Sequence, residues 1–269
     1  MKLDIIDAFV TGQAFSGNPA AVVRTAQPLT TELMQQIAAQ HNLSETAFIS
    51  PLLSGSIEQW QIRWFSPLAE VDLCGHATMA AAYAILSDHP TLAQVHFHSL
   101  KHGRLSVARH VDGLCMDFPI QTQRRVDEPP TLLTDAIPTG YREVFLGVDW
   151  LVVYDDPHLV INAQPDLTLL QQLPHRGVIL TSVGAGSCDF ISRFFAPKLG
   201  IPEDPVTGSA HCSLAPYWCV RLQRQQVYAW QASARGGLLT AEVIQGRVNL
   251  IGHCRLYSRG WIYLDNDPS

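Results

Sequence analysis

Charge is scarce in this chain. Asp, Glu, Lys and Arg together make up 16% of its 269 residues, against about 25% in ordinary soluble domains. What charge there is runs acidic, with 18 basic and 24 acidic residues for a net of −6. No basic footprint exists for nucleic acid or an anionic membrane surface, so neither is an expected partner. Long apolar runs are missing too: no stretch approaches the ~18 residues of a membrane span. The N-terminal MKLDIIDAFVTG carries Asp4 and Asp7 inside its apolar stretch and lacks the shape of a signal peptide. Six cysteines are present, but they are scattered, with no C-x-x-C pair and no zinc-ribbon spacing. A reduced, cytoplasmic protein is therefore expected.

Several catalytic signatures are absent as well. SVGAGS (182–187) holds a G-x-G, but the third glycine is missing and a strand-like run follows, so the dinucleotide fingerprint fails. No G-x-S-x-G occurs, which argues against a hydrolase nucleophile. HFHSLKH (96–102) puts His96 and His98 on one face of a strand, compatible with a metal, but without an acidic or thiol partner nearby. An exposed strand face is the simpler expectation, and no metal is expected.

Apolar residues, at 47%, are plentiful. With so little charge they imply large cores or an oligomer interface, and a homodimer is expected. The length suits two domains. Strand-like alternation runs through 3–10, the AAVVR stretch, SETAFIS and IEQWQIRWF. TTELMQQIAAQHN (30–42) has a threonine start and helical periodicity. A helix follows from about His76, then strands QVHFHSL, GRLSVARH and GLCMDFP. The second half runs similarly. Strand-like runs fill 142–162, a short helix lies near 167–173, strands fall at GVILTS and CDFISRFF, and a second helix at GSAHCSLAPYWCVRLQ. Short strands close the chain.

One phrase is spelled twice. RWFSP (63–67) and RFFAP (193–197) each lead through an acidic residue, Asp72 or Asp204, to Gly75-His76-Ala77 or Gly208-Ser209-Ala210. Each then enters a helix without formal charge, 76–86 and 209–220. A helix uncharged all round is enclosed on all sides. The fold class expected is therefore α+β. It comprises two pseudo-repeated lobes, each a rolled, mostly antiparallel sheet around a buried central helix, made by internal duplication. The N-terminal lobe would take residues 1–117 plus a returning strand at about 257–269, and the C-terminal lobe 118–256. Pro216 should kink the second helix or leave one carbonyl without its partner.

A two-lobed chain is expected to bind its ligand in the cleft between lobes. Gly75 and Gly208 open the two central helices, whose N-termini offer unpaired amides to an anion. They are candidates for substrate binding. Candidates for proton transfer are Glu45, His76, Asp72, Asp204 and Ser209. From pattern alone Glu45 could as well be a solvated residue at a strand start.

FVTGQAFSGNPAAVV, NLSETAFI, RWFSPLAEVDLCGHAT, GIPEDPVTGSAH and QASARGG, in that order, span nearly the whole chain. Together they resemble the PhzF-like family, the phenazine-biosynthesis F-type isomerases. The resemblance implies a diaminopimelate-epimerase-like fold and a cofactor-independent isomerase. Glu45 would be its general acid/base, with His76, Asp204 and Ser209 sharing the relay and positioning a small carboxylated substrate. Asn18 and Pro19 match the family's G-N-P turn, and Gly236-Gly237 its R-G-G turn. Asn18 and Asp72 join the expected substrate contacts. The more distant epimerases use two opposed cysteines. Cys74 matches the first, but Asp204-Pro205-Val206 stands where the second would be. A two-thiol racemase is thus excluded, and Cys74 is expected to be a small packed residue. Two other classes stay open. One is a non-catalytic carboxylate-binding protein on the same scaffold; the other is a hydrolase or metal enzyme using His76 and Ser209.

Overall fold

A computed structural model describes residues 1–52, 56–184 and 186–264. The chain divides into two compact units. The first holds residues 1–10, 19–117 and the chain from Ile251; the second holds 11–18 and 118–250.

The first unit is built from strands β1 (Lys2–Ala8), β2 (Asn18–Arg24), β3 (Glu45–Pro51), β4 (Gln59–Phe65), β5 (Glu70–Val71), β6 (Gln94–Ser99), β7 (Gly103–His110) and β8 (Gly113–Pro119). Helix α1 (Thr31–His41) lies between β2 and β3, and α2 (Gly75–Asp88) between β5 and β6. In the second unit β9 (Arg124–Arg125) precedes α3 (Thr131–Thr134), β10 (Tyr141–Leu146), β11 (Trp150–Tyr154), α4 (Pro157–Ile161) and α5 (Leu167–Gln172). Then come β12 (Val178–Val183), β13 (Phe190–Ala196), β14 (Ile201–Asp204), α6 (Gly208–Leu222), β15 (Gln226–Gln231), β16 (Gly237–Ile244) and β17 (Arg247–Gly252). The last strand, β18 (Cys254–Trp261), returns to the first unit.

Strand pairing repeats between the units. β2 runs parallel to β3, β3 antiparallel to β4, β4 parallel to β6, and β6 antiparallel to β7. In the same order β11 runs parallel to β12, β12 antiparallel to β13, β13 parallel to β15, and β15 antiparallel to β16. Each parallel pair is joined through helix, as a crossover requires.

The duplicated phrase closes one strand in each unit. Arg63 forks onto both oxygens of Glu70 at 2.7 Å and lies over the Phe65 ring. Arg193 grips Glu203 in the same way, at 2.6 and 2.9 Å, and lies over Phe195. Two-point guanidinium–carboxylate pairs fix geometry as well as charge. Glu70 and Glu203 each stand five residues before the glycine that opens the helix. They are the matching acids. Asp72 corresponds to Pro205, so Asp72 and Asp204 are not equivalents as the sequence had suggested.

α2 is enclosed as expected, whereas α6 is enclosed over most of Gly208–Ala215 and at Trp218 and Cys219 but leaves Val220 79% exposed near its end. In α2 all but four of its residues from Gly75 to Asp88 are buried, and the helix packs on β1, β3, β6, β7 and β18. Aligning Gly75 with Gly208 pairs Ala77 with Ala210 and Ala82 with Ala215, all four at 1% exposure or less. Small side chains there let strand and helix backbones approach. α6 continues through Pro216. The carbonyl that proline cannot serve, that of Cys212, instead accepts the Gln121 backbone N–H at 3.1 Å.

Some expectations need correction. Residues 157–161 form helix α4 rather than strand, started by Pro157 and by Asp156, whose side chain accepts the His158 N–H. The segment 11–18, placed by sequence in the N-terminal lobe, packs in the second unit: Gly17 N–H donates to Gly236 O at 2.7 Å, and Arg235 Nε to Gly17 O at 2.8 Å. Gly17 and Gly236 both take positive φ there, at 80° and 66°, which side chains resist. The returning strand starts at Cys254 rather than 257, because Cys254 already pairs with Ala8. Its expected extension over 265–269 lies outside the described residues. No helix among the described residues is long and apolar enough to cross a membrane.

The tight seats of Ala82 and Ala215 generate a prediction. Ala82→Leu and Ala215→Leu should each cost about 1–3 kcal/mol through overpacking. Urea unfolding measures this, and a cost near zero would mean that the sheets do not close tightly on these helices.

Candidate active site

Glu45 is the first residue of β3, set beside Ala20 of β2 by the parallel register. Its side chain is 10% exposed, so the reading as a solvated strand-start residue does not hold. His76 is the second residue of α2, and its Nε2 lies 3.3 Å from Glu45 Oε2. Ser44 Oγ lies 3.4 Å from the same nitrogen and bonds Pro19 O at 3.3 Å. Cys74 Sγ lies 3.4 Å from His76 Nδ1, so the thiol is more than packing. Burial drives the His76 pKa down to about 3, leaving a neutral imidazole that can donate at one nitrogen and accept at the other. Glu45, Cys74 and His76 each present a donor atom within 4.8 Å of the others, a set that could hold a divalent ion. The positive end of α2 beside them opposes a cation.

The second unit gathers another polar group. Asp204 ends β14 and is buried. Its carboxylate accepts from Asn18 Nδ2 at 2.7 Å and Thr207 Oγ1 at 2.6 Å. Burial raises its pKa to about 6, against the downward pull of those two bonds and of Arg176. Gln231 braces the turn, donating to Asp204 O at 2.8 Å and accepting the Thr207 N–H at 2.8 Å. Ser209, the second residue of α6, accepts from Arg176 Nη2 at 3.0 Å.

The expected residues therefore fall into two groups. Glu45 and His76 meet in the first unit, next to Gly75 at the start of α2. Asp204 and Asn18 meet in the second, where Gly208 and Ser209 open α6. Asn18 is fully buried and spends its amide on Asp204 and Val206 O. It is thus a brace for the carboxylate. Asp72 stands apart from both groups: it is exposed and ion-paired with Lys101. His96 is buried rather than on an exposed face, and both ring nitrogens are engaged, by Ser106 and by Arg104. Sequence reasoning missed Ser44, Thr207, Gln231, Arg176 and Asp149. Ser44 and Thr207 adjoin the motif residues and were open to notice. The other three come from distant strands and carry no local signal.

A central helix packed on its own sheet in each unit, with titratable side chains near each helix start, defines an epimerase-like α+β scaffold. The chain belongs to the PhzC-PhzF family, described as phenazine biosynthesis-like protein, whose model it matches over residues 6–260. It is 45% identical to an uncharacterized isomerase of Pseudomonas aeruginosa over 262 residues, 96% of this chain and 97% of that one. The crystal structure of a PhzF-family phenazine biosynthesis protein from Enterococcus faecalis superposes with a TM-score of 0.90 at 40% identity, covering 98% and 99% of the two chains. A probable proline racemase from Agrobacterium radiobacter, 10% identical, shares the fold alone, with a TM-score of 0.61 over 99% and 94%. The fold is diaminopimelate-epimerase-like, and the protein is an isomerase.

The buried imidazoles set a pH dependence. His211 in α6 is fully buried, and burial lowers its pKa to about 4. Between that value and 6.5 the unfolded chain holds a proton that the native ring refuses. Stability from this residue is full above 6.5 and is lost as pH falls. Asp204 acts oppositely, losing stability as pH rises from 3.8 to about 6. His211→Asn should therefore flatten the acid decline of unfolding free energy by about 1.4 kcal/mol per pH unit between pH 4.5 and 6. Urea titrations at several pH values test this, and an unchanged slope would contradict the neutral ring.

Proposed function

We propose that this isomerase moves a proton within a small carboxylated metabolite by general acid/base catalysis, without a cofactor, and that Glu45 takes and returns the proton. The observation carrying this is the buried Glu45 carboxylate set 3.3 Å from a neutral His76 ring. A carboxylate so placed is withdrawn from bulk water, and the ring beside it can accept or donate a proton without first losing a charge. Asp204 is proposed as the second proton-handling group. Its pKa of about 6 lets it hold a proton close to neutral pH, as a general acid requires. Ser209 and the amides opening α2 and α6 are assigned to the substrate's carboxylate or to the oxyanion that develops as the proton leaves. Helix starts supply this stabilisation without a basic side chain.

Glu45→Gln keeps the shape and hydrogen bonding of the side chain but cannot exchange a proton. It should abolish turnover, on the order of 10²–10⁴-fold or more, while ligand affinity changes little. The measurement is deuterium incorporation from heavy water into candidate carboxylated substrates, followed by NMR, with affinity read by calorimetry. Tight binding with no exchange by the wild-type protein would favour a non-catalytic carboxylate binder. Full exchange by Glu45→Gln would remove Glu45 from the role.

A further inference from the structure

We infer that Arg176, clamped by Asp149, is a positioning residue that makes the Ser209 hydroxyl a hydrogen-bond donor toward the substrate. This rests on the assignment of Ser209 to the substrate given above.

The clamp follows from strand register. β11 and β12 start side by side: Trp150 pairs with Val178, and Trp150 N–H donates to Gly177 O at 3.0 Å. The residues just ahead of these strands, Asp149 and Arg176, are thereby brought together. The Asp149 side chain is 1% exposed. It receives Arg176 Nε at 2.9 Å and Nη2 on its other oxygen. The guanidinium carbon lies 5.4 Å from the centre of the Phe194 ring. A guanidinium held by a fork and an aromatic ring has one orientation left.

From that orientation Nη2 also donates to Ser209 Oγ at 3.0 Å. Guanidinium has no acceptor, so the hydroxyl must accept here, and its single hydrogen is turned elsewhere. Among the described residues no protein group accepts that hydrogen. A half-buried hydroxyl whose hydrogen is turned away from the guanidinium and lacks a protein acceptor is suited to an oxygen of a bound ligand. Ser209 thus works as a donor and not as a base.

The same cation acts on Asp204. Its charge pulls the Asp204 carboxyl downward, while burial and neighbouring Glu203 push it up. Arg176 acts on it through charge alone, and the two groups that bond that carboxylate, Asn18 and Thr207, are uncharged. Arg176 therefore couples the serine's direction to the proton affinity of the acid.

The two effects separate in variants. Arg176→Met removes both fork and charge; Arg176→Lys keeps charge without the fork. The first readout needs no turnover: carboxyl ¹³C NMR titration, with the Asp204 signal identified by its loss in Asp204→Asn. Its midpoint should move up in Arg176→Met and stay near the wild-type value in Arg176→Lys. The second is kinetic, on a substrate found by deuterium exchange. Both variants should lose kcat on the order of 10²-fold, and Asp149→Asn should follow them. The acid limb of the pH profile should move up only in Arg176→Met. A folded Arg176→Met with an unmoved Asp204 midpoint, or with wild-type kcat, overturns the inference. If the wild-type protein exchanges deuterium into no substrate, the isomerase mechanism fails, and the NMR titration still decides the arginine's role.

Discussion

The structure depends on burying a helix whose first eleven or twelve residues carry no charge against its own sheet, and on doing so twice. Such a helix gains from apolar and small side chains on every face, which is why α2 is rich in alanine and α6 places Ala210 and Ala215 where it is buried. Its ends cannot be buried so cheaply. The first-turn amides point out of the helix and need acceptors. The N-cap residues Cys74 and Thr207 make no side-chain bond to those amides. The enclosed helix thus delivers donor groups at the place where each sheet stops covering it, and the polar residues collect there.

Much of this was legible before any coordinate. The uncharged stretches after Gly75 and Gly208 show the enclosed helices, and the RWFSP and RFFAP phrases show the duplication. Structure then explains the phrase itself: the arginine is a staple across a strand end, and its partner is Glu70 or Glu203. Sequence reading took the wrong acid in both copies because Asp72 and Asp204 lie closer to the glycine than Glu70 and Glu203 do. Only strand pairing brings Glu70 beside Arg63. The same blindness hid Arg176 and Asp149. Each is an ordinary charged residue in its own segment, and the β11–β12 register alone makes them neighbours.

Candidate site residues were legible to different degrees for a physical reason. Glu45, His76 and Asp204 sit inside short motifs whose neighbours share the work, such as Ser44, Cys74 and Thr207. Residues that brace them are recruited from wherever the sheet passes. Gln231 at the end of β15 satisfies two backbone groups of the Asp204 turn, and nothing in QASARGG marks that role. Asn18 was noticed for its motif, yet its amide is committed to Asp204 and Val206. A motif residue can thus contribute to a candidate site by bracing a carboxylate.

One cause sets both titrating groups. Loss of water disfavours charge of either sign, so it lowers the imidazole of His76 and raises the carboxyl of Asp204. An acid and a histidine move toward neutrality from opposite sides. At a pH near 6 this chain therefore carries an uncharged ring and a carboxyl close to half-protonated. In Asp204 that rise works against the downward pull of its bonds to Asn18 and Thr207 and of the Arg176 charge, so its proton affinity is a balance between lost water and the donors that the fold supplies.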